Sequence, residues 1–202
     1  CFKKTPGVFD IVQYNGTGSS GHRISHNLGV KPEAMIIKNL TSGVESQVYH
    51  KSTGRSWTYH LHREGGDNVA DYFGTSDPTS SDFGVHPTYS GVNSNGNTYI
   101  TYLFASKPGV CQVGEYYGNG STNGPFVHTG FKPAWVMVKG NTGEMHYVWD
   151  AKTQIWKLGY LNQGDTIVRI ASGNSHTLNN GDYSIDYLSN GFKHRGTHPF
   201  YN

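Results

Sequence analysis

Residues 6–38 of this chain read PGVFDIVQYNGTGSSGHRISHNLGVKPEAMIIK, and residues 108–139 read PGVCQVGEYYGNGSTNGPFVHTGFKPAWVMVK. Both stretches begin with Pro-Gly-Val, continue through a tyrosine and a glycine-rich turn, and end with a Lys-Pro step before an apolar run. The offset between them is 102 residues at the start and 101 at the Lys-Pro step. That period is too long for a solenoid repeat and fits a small domain. The sequence therefore predicts a tandem duplication.

The repeat also predicts where each copy begins and ends. We expect a first copy over residues 1–107 and a second over residues 108–202. The first copy ends with an alternating strand at Tyr99–Ala105, after an Asn-Gly turn. The second copy reaches Ser189–Phe192, which answers Ser80–Phe83, and then shows no counterpart of that strand. We interpret it as truncated before its closing strand, in a piece of a longer polypeptide, with natural divergence as the alternative.

The composition favours an all-β fold. Gly occurs 27 times and the Asn-Gly pair six times, and this pair supplies the positive φ that tight hairpin turns need. Good helix formers are scarce, and short alternating runs at 34–39, 99–105 and 135–139 predict strands. The apolar stretches Met35–Ile37 and Val136–Val138 are continuous, which indicates strands covered on both faces. We expect a tandem-duplicated β-sandwich of the jelly-roll or lectin-like type.

Charge and hydropathy argue against several classes of partner. The net charge is +2 and only 15% of the residues are charged, whereas nucleic-acid binding requires a concentrated basic face. No apolar run approaches the roughly 18 residues of a membrane span. Cys1 and Cys111 occupy places that are not equivalent in the repeat, so no disulfide framework is expected. We expect neither nucleic-acid binding nor membrane insertion.

Histidines and aspartates raise two metal hypotheses, both of which the spacing disfavours. His60 and His62 would share one strand face, with His26 or His50 as a third ligand, but no metal-binding motif accompanies them. Residues 67–82 hold four aspartates among Ser, Thr and Gly, as calcium loops do, but not at the EF-hand spacing. We expect no metal and no other cofactor, although an ion at a histidine-lined strand face stays an open alternative.

No catalytic constellation is recognisable in the sequence. Gly18–Gly21 lacks the strand-to-helix frame of a nucleophile elbow. The glycines of Gly16–Gly21 precede a short strand and a Lys-Pro step, where a dinucleotide-binding fingerprint would open a helix. A glycosidase-type carboxylate pair cannot be selected among 14 acidic residues. We therefore expect that the protein is not an enzyme.

The aromatic residues in the middle of each copy are the best candidates for a binding surface. Rigid amphipathic rings with polar neighbours are typical of carbohydrate- and protein-binding surfaces. Filling a core that is short of Leu is the alternative. The two copies agree least in these sections, as recognition loops on a shared scaffold would. The predicted binding residues are Trp57, Tyr59, His62, Tyr72, Trp149, Trp156 and Tyr160.

These motifs resemble the repeat domain of tail-fibre and other virion-surface proteins of marine and cyanobacterial phages. The resemblance is carried by Phe2–Tyr14, Ile24–Pro32, Val48–His50 and Val92–Ala105 of the first copy. It covers the second copy in part, and departs from the pattern at Val127–Gly130. The resemblance implies a structural or host-adhesion role on the virion, and no established catalytic residue comes with it.

On this resemblance we expect a fragment of a phage tail fibre or adhesin that attaches the virion to its host. The implied partners are other virion proteins, a glycan or protein receptor on the host surface, and further copies of the chain, with a trimer favoured by analogy. The place of action would be the virion surface, after assembly in the host cytoplasm. A capsid decoration or head-fibre protein, a glycan depolymerase spike and a cellular lectin-like module are the alternatives.

Overall fold

The computed structural model describes residues 3–61, 66–138 and 185–195, together with the backbone of three strands at 155–156, 166–169 and 177–179. All regular structure in these residues is β, which confirms the predicted all-β class. The chain divides into two compact units. Cys1–Leu61 and Gly66–Gly114 form the first unit, and His62–Gly65 and Glu115–Asn202 form the second.

The first unit is built on a six-stranded antiparallel sheet with the order β1-β8-β3-β4-β5-β6. Its strands are β1 (Phe9–Asn15), β3 (Ala34–Asn39), β4 (Gln47–His50), β5 (Trp57–His60), β6 (Gly66–Asn68) and β8 (Thr98–Phe104). A separate two-stranded ribbon pairs β2 (Arg23–Ser25) with β7 (Asp82–Gly84). β8 lies between β1 and β3 and pairs with both of them along the strand. The strand that closes the first copy is therefore an interior strand of its sheet.

The inner face of this sheet packs on a hydrophobic core. Burial alternates along β3, where Met35 and Ile37 are fully buried and Ile36 is half-buried. The prediction of a strand covered equally on both faces is therefore wrong for this run. The ribbon contributes Ile24 and Phe83 to the same core. The other buried core residues are Tyr14, Leu28, Tyr49, Tyr72, Phe73, Val85, Val92, Tyr99, Leu103 and Ala105. A core between a sheet and a covering ribbon is compatible with the predicted β-sandwich.

The chain segment before β1 caps the outer edge of that strand. Thr5 and Phe9 form a two-way backbone bridge, with N–O distances of 2.8 and 3.0 Å. The Lys4 ammonium donates to the Ile11 carbonyl oxygen and lies 3.1 Å from an Asp10 carboxylate oxygen. Asp10 in turn accepts from the Ile11 amide at 2.9 Å. Because free edge groups invite pairing with other chains, these contacts protect the first half of β1.

In the second unit, strands β9 (Phe126–His128), β13 (Ile185–Leu188) and β14 (Gly191–His194) form an antiparallel sheet of order β13-β14-β9. A second antiparallel sheet joins β10 (Ile155–Trp156), β11 (Thr166–Arg169) and β12 (Thr177–Asn179). Phe192 of β14 and Val136 are buried together, and Tyr116 packs against them. Among the described residues of the chain, no helix is long and apolar enough to cross a membrane.

Two local features recur at equivalent places in the two copies. The turns Thr5–Phe9 and Lys107–Cys111 close with the same backbone bridge, and their glycines, Gly7 and Gly109, have φ values of +74° and +76°. An aromatic pair also recurs. The rings of Tyr14 and Phe83 meet edge-on at 6.2 Å in the first copy. The rings of Tyr116 and Phe192 do so at 6.3 Å in the second.

The copies differ in their strands, and the duplication therefore stays a prediction. Residues 111–117 correspond to β1, and residues 135–138 correspond to the first part of β3, but neither stretch contains a strand. In particular, the strand predicted at 135–139 is absent from 135–138, its described part. In the first unit β1 and β3 both hydrogen-bond to β8. Among the described residues of the second sequence copy, no strand corresponds to β8.

A glycine contact in the first unit gives a test of this packing. A Cβ on Gly74 would lie 2.7 Å from Cα of Gly84, and Gly74 has a φ of +90°. We expect Gly74→Ala to lower the free energy of unfolding by about 2–4 kcal/mol, because it adds a clash to a left-handed backbone. Gly43→Ala is the control, since nothing lies within 4 Å of its Cβ position. Urea denaturation measures both; equal losses would show that the backbone at Gly74 moves away freely.

Candidate functional site

Three of the predicted binding residues lie in the described part of the first unit, and two of them are buried. Tyr72 is 1% exposed and belongs to the hydrophobic core, which is the alternative that the sequence left open. Tyr59 is 6% exposed on β5. Trp57 is half-buried on the same strand, with its ring 6.3 Å from that of Tyr59, and its indole packs against Gly66 of β6.

The side chains of the other four predicted binding residues are not among those that the structure describes. His62, Trp149 and Tyr160 lie outside the described residues. Trp156 lies on β10, of which only the backbone is described. A role of these four residues in binding stays a prediction.

The exposed aromatic group that the first unit does present is the Tyr89 loop, which we define as residues 86–92. Tyr89 is 37% exposed. Its ring lies 4.8 Å from that of buried Tyr72 and 5.0 Å from that of His86, at 90° to the latter. Burial lowers the pKa of His86, so its imidazole is neutral at neutral pH. The buried Tyr72 ring therefore packs beneath the Tyr89 ring and supports it.

Asn93 ties the Tyr89 loop to the glycine-rich turn of residues 16–21. Its Oδ1 accepts from the Thr17 amide and from Nδ1 of His22, both at 2.9 Å. Its Nδ2 donates to the carbonyl oxygens of Ser19 and Pro87, at 3.2 and 3.4 Å. Asn93 is fully buried, so this amide is satisfied by the protein alone. Such a network fixes both loops in one arrangement.

Three further buried side chains hold the loop from the sheet side. The Tyr14 hydroxyl donates to the Val92 carbonyl oxygen at 2.7 Å. The Ser90 carbonyl oxygen accepts from the Tyr99 hydroxyl at 2.9 Å and from the Asn39 amide at 3.0 Å. Burial raises the pKa of Tyr14 well above its usual value, so this hydroxyl keeps its proton and remains a donor. The Tyr89 ring is thus presented by a backbone that the core itself positions.

The aspartates that resemble a calcium loop each face a basic side chain of the first unit. The four pairs are Asp67 with His60, Asp71 with Arg55, Asp77 with Lys31, and Asp82 with Arg23. Carboxylates that bind calcium would converge on one point instead. Among the described residues no group of three or more His, Cys, Asp or Glu side chains could hold a metal ion.

Tyr89 is one of the aromatic residues in the middle of the first copy, but neither Tyr89 nor His86 is among the predicted binding residues. The signal was present, because Tyr89 stands alone within a run of turn-forming residues, His-Pro-Thr-Tyr-Ser-Gly, over 86–91. A large ring in such a polar turn has little core to enter, whereas Tyr72 follows a strand and can turn inward.

Comparisons with known proteins identify one family. The family is described as a domain of unknown function (DUF7483), and the match covers residues 3–202. Separate comparisons with curated proteins and with solved structures found no match.

The hydrogen bonds of Asn93 predict that its side-chain amide makes a large contribution to the stability of the fold. We expect Asn93→Ala to lower the free energy of unfolding by about 2–4 kcal/mol, because buried groups on two loops lose their partners. Faster hydrogen exchange at the Thr17 amide should accompany the loss, since this amide bonds the Asn93 side chain, whereas the Gly18 amide bonds the backbone carbonyl oxygen that alanine retains. The control is Asn95→Ala, on an exposed turn residue. If both variants lost the same stability, the loops would not depend on the Asn93 contacts.

The Asp82 pair predicts a pH-dependent effect. The Arg23 guanidinium and the Thr79 hydroxyl lower the pKa of Asp82 from its usual 3.8 to about 2. This stabilisation is complete above the unfolded pKa and is lost as the pH falls through about 2. We expect Asp82→Asn to cost about 1–2 kcal/mol at pH 7 and almost nothing at pH 2. Denaturant titrations at several pH values measure it.

The matched control for this pair is Asp77→Asn. Asp77 also contacts a lysine, but its side chain is 62% exposed, so water screens the pair. We expect its loss at pH 7 to stay below about 1 kcal/mol. A pH-independent cost of Asp82→Asn would show that hydrogen-bond geometry, and not charge, sets the contribution of Asp82.

Proposed function

Because the chain belongs to the DUF7483 family, whose function is unknown, we propose a role from its motifs and its surface. We propose that it is part of a virion-surface protein, most specifically a phage tail fibre or adhesin, that attaches the particle to its host. The motifs that resemble those of virion-surface repeat domains support a place on the virion surface. The Tyr89 loop supports the activity and is the observation that carries the proposal.

The Tyr89 loop has the properties of a rigid contact surface. An exposed ring gains most in binding when its position is fixed in advance, because little side-chain entropy is then lost. Tyr89 meets this condition through its contact with Tyr72 and through the hydrogen bonds that hold Ser90 and Val92. Its neighbours are Ser, Thr, Gly and Asn, the residues that supply adaptable hydrogen bonds in binding loops.

The chemistry of the loop favours a glycan receptor over a charged one. Tyr89 offers an aromatic face and a hydroxyl group, and the His86 ring beside it is neutral at neutral pH. No acidic or basic residue occurs between 83 and 106. An uncharged surface of this kind fits the apolar faces and hydroxyl groups of a polysaccharide.

The proposed protein acts on the virion surface as a homo-oligomer, with a trimer favoured by analogy to fibres. The capped edge of β1 restricts how the copies meet. Thr5, Lys4 and Asp10 already satisfy the outward backbone groups of Phe9 and Ile11. Strand pairing between copies would therefore use another edge or surface of the chain.

Replacing the exposed ring tests the proposal. We expect Tyr89→Ala to weaken binding to cells or isolated polysaccharides of the host by about 2 kcal/mol, or roughly thirtyfold in affinity. The measurement is binding of the fluorescently labelled chain to a panel of cyanobacterial and marine bacterial cells and to their extracted polysaccharides. Removing Tyr89 leaves the Asn93 network intact, so the fold should persist.

Leu40→Ala is the matched control, because Leu40 is an exposed apolar residue of the same unit, 53% accessible. It should bind as the unchanged protein does. If Tyr89→Ala folds and binds as well as Leu40→Ala, the Tyr89 loop is not the contact surface. If the unchanged chain binds none of the cells or polysaccharides, the proposed attachment role of this segment fails.

A further inference from the structure

Strands β4, β5 and β6 bring an unusual set of polar side chains together on their inner face. Thr58, Gln47 and His60 are 0%, 4% and 3% exposed. The Thr58 hydroxyl donates to Oε1 of Gln47 at 3.1 Å. His60 is the direct partner of Gln47 in the β4–β5 ladder. A hydroxyl and a carboxamide are thus in contact at a place that water does not reach.

A chain of proton-transferring groups adjoins this contact. Asp67 is the direct partner of Thr58 in the β5–β6 ladder, so both side chains project to the same face. Oδ2 of Asp67 lies 2.9 Å from Nε2 of His60, which carries the proton of this hydrogen bond because an ionised carboxylate only accepts. Nδ1 of His60 lies 2.9 Å from Oε2 of Glu45. The two carboxylates hold the imidazole between them.

The Tyr89 loop closes over the carboxamide from the other side. A Cβ on Gly91 would lie 2.8 Å from Cγ, 2.9 Å from Nε2 and 3.0 Å from Cδ of Gln47. The loop backbone therefore lies directly against the amide, and only glycine allows this approach. Nε2 of Gln47 also donates to the Glu45 carbonyl oxygen at 2.9 Å. The carboxamide is therefore confined by the loop backbone at Gly91 and by its hydrogen bonds to Thr58 and to the Glu45 carbonyl oxygen.

We propose that Thr58 and Gln47 react to form an ester crosslink between β4 and β5. Oγ1 of Thr58 attacks Cδ of Gln47 while Asp67 accepts the hydroxyl proton. The C–N bond of the resulting tetrahedral intermediate then breaks, and Asp67 returns the proton to the departing nitrogen. The products are one ester and one molecule of ammonia, so atoms and charge balance without an oxidant or another reactant.

Proximity and the exclusion of water favour the reaction. Hydroxyl and carboxamide groups do not condense in water at a useful rate, but fixed contact between reacting groups raises their effective concentration by many orders of magnitude. Ammonia escapes into dilute solution, and the buried ester is shielded from hydrolysis. His60 and Glu45 act as positioning residues, because His60 hydrogen-bonds Asp67 and Glu45 contacts the other nitrogen of the imidazole. The event occurs once per molecule, as a modification of the chain by itself.

Intact mass spectrometry of the folded 202-residue chain tests the proposal. The chain should be about 17 Da lighter than its sequence, by the mass of the ammonia lost. A proteolytic digest should contain a linked pair of peptides that joins Gln47 to Thr58. Asn-Gly pairs lose the same mass when they form succinimides, so the position of the loss must be mapped by fragmentation.

Matched variants separate the outcomes. Thr58→Val preserves the shape of the side chain without its nucleophile and should have the full mass, whereas Thr58→Ser should still form the linkage. Asp67→Asn should form it at least tenfold more slowly, as loss of a proton acceptor does. A folded, unchanged chain of full mass overturns the proposal, as does a loss that maps to an Asn-Gly pair or persists in Thr58→Val. If Thr58→Val does not fold, the peptide map of the unchanged chain decides alone.

Discussion

The hydrogen bonds on the two sides of β8 are the interaction on which the first unit depends. β8 joins two strands in a single sheet. One is β1, near the start of the unit, and the other is β3, which precedes β8 by some sixty residues in the chain. Its inward side chains Tyr99 and Leu103 are fully buried and join the core from the middle of that sheet. The contacts that define the unit are consequently non-local, and the ribbon β2–β7 has a surface to cover only once β8 is in place.

The Tyr99 hydroxyl links this central strand to the exposed loop. Tyr99 contributes its ring to the core and its hydroxyl to Ser90, while Tyr14 on the neighbouring strand stacks on it at 5.1 Å and bonds Val92. The aromatic core therefore has two roles: its rings exclude water, and its hydroxyl groups set the backbone of the surface above. Leucine would pack equally well in this core, but it has no hydroxyl group with which to hold the loop backbone, so tyrosine is more useful here.

Local pattern predicted the strands that the sheet uses directly. The run at 34–39 coincides with β3, and that at 99–105 is displaced by one residue from β8, because alternation and an Asn-Gly turn are local signals. The run at 135–139 carries a similar signal, yet its described residues form no strand, since a strand also needs a partner that local sequence does not specify.

The same limit applies to aromatic residues. Tyr89 stands in a run of turn-forming residues and Tyr72 follows a strand, but the tertiary fold determines which rings pack against each of them. The contact between Thr58 and Gln47 depends on strand register and is invisible before the hairpin is known.

The bridge at Lys107–Cys111 has a consequence for how the polypeptide can be divided. Ser106 bonds Glu33 through both its amide and its hydroxyl, and the Val113 amide bonds the Ser106 hydroxyl at 2.9 Å. The opening residues of the second sequence copy are thereby built into the first unit, which extends to Gly114. The boundary predicted from the sequence repeat and the end of the first compact unit therefore differ by several residues. A recombination event or a protease cut at 107 would sever a folded turn, whereas a break after 114 would leave that turn whole, so the first unit is transferred intact only when the residues up to 114 travel with it.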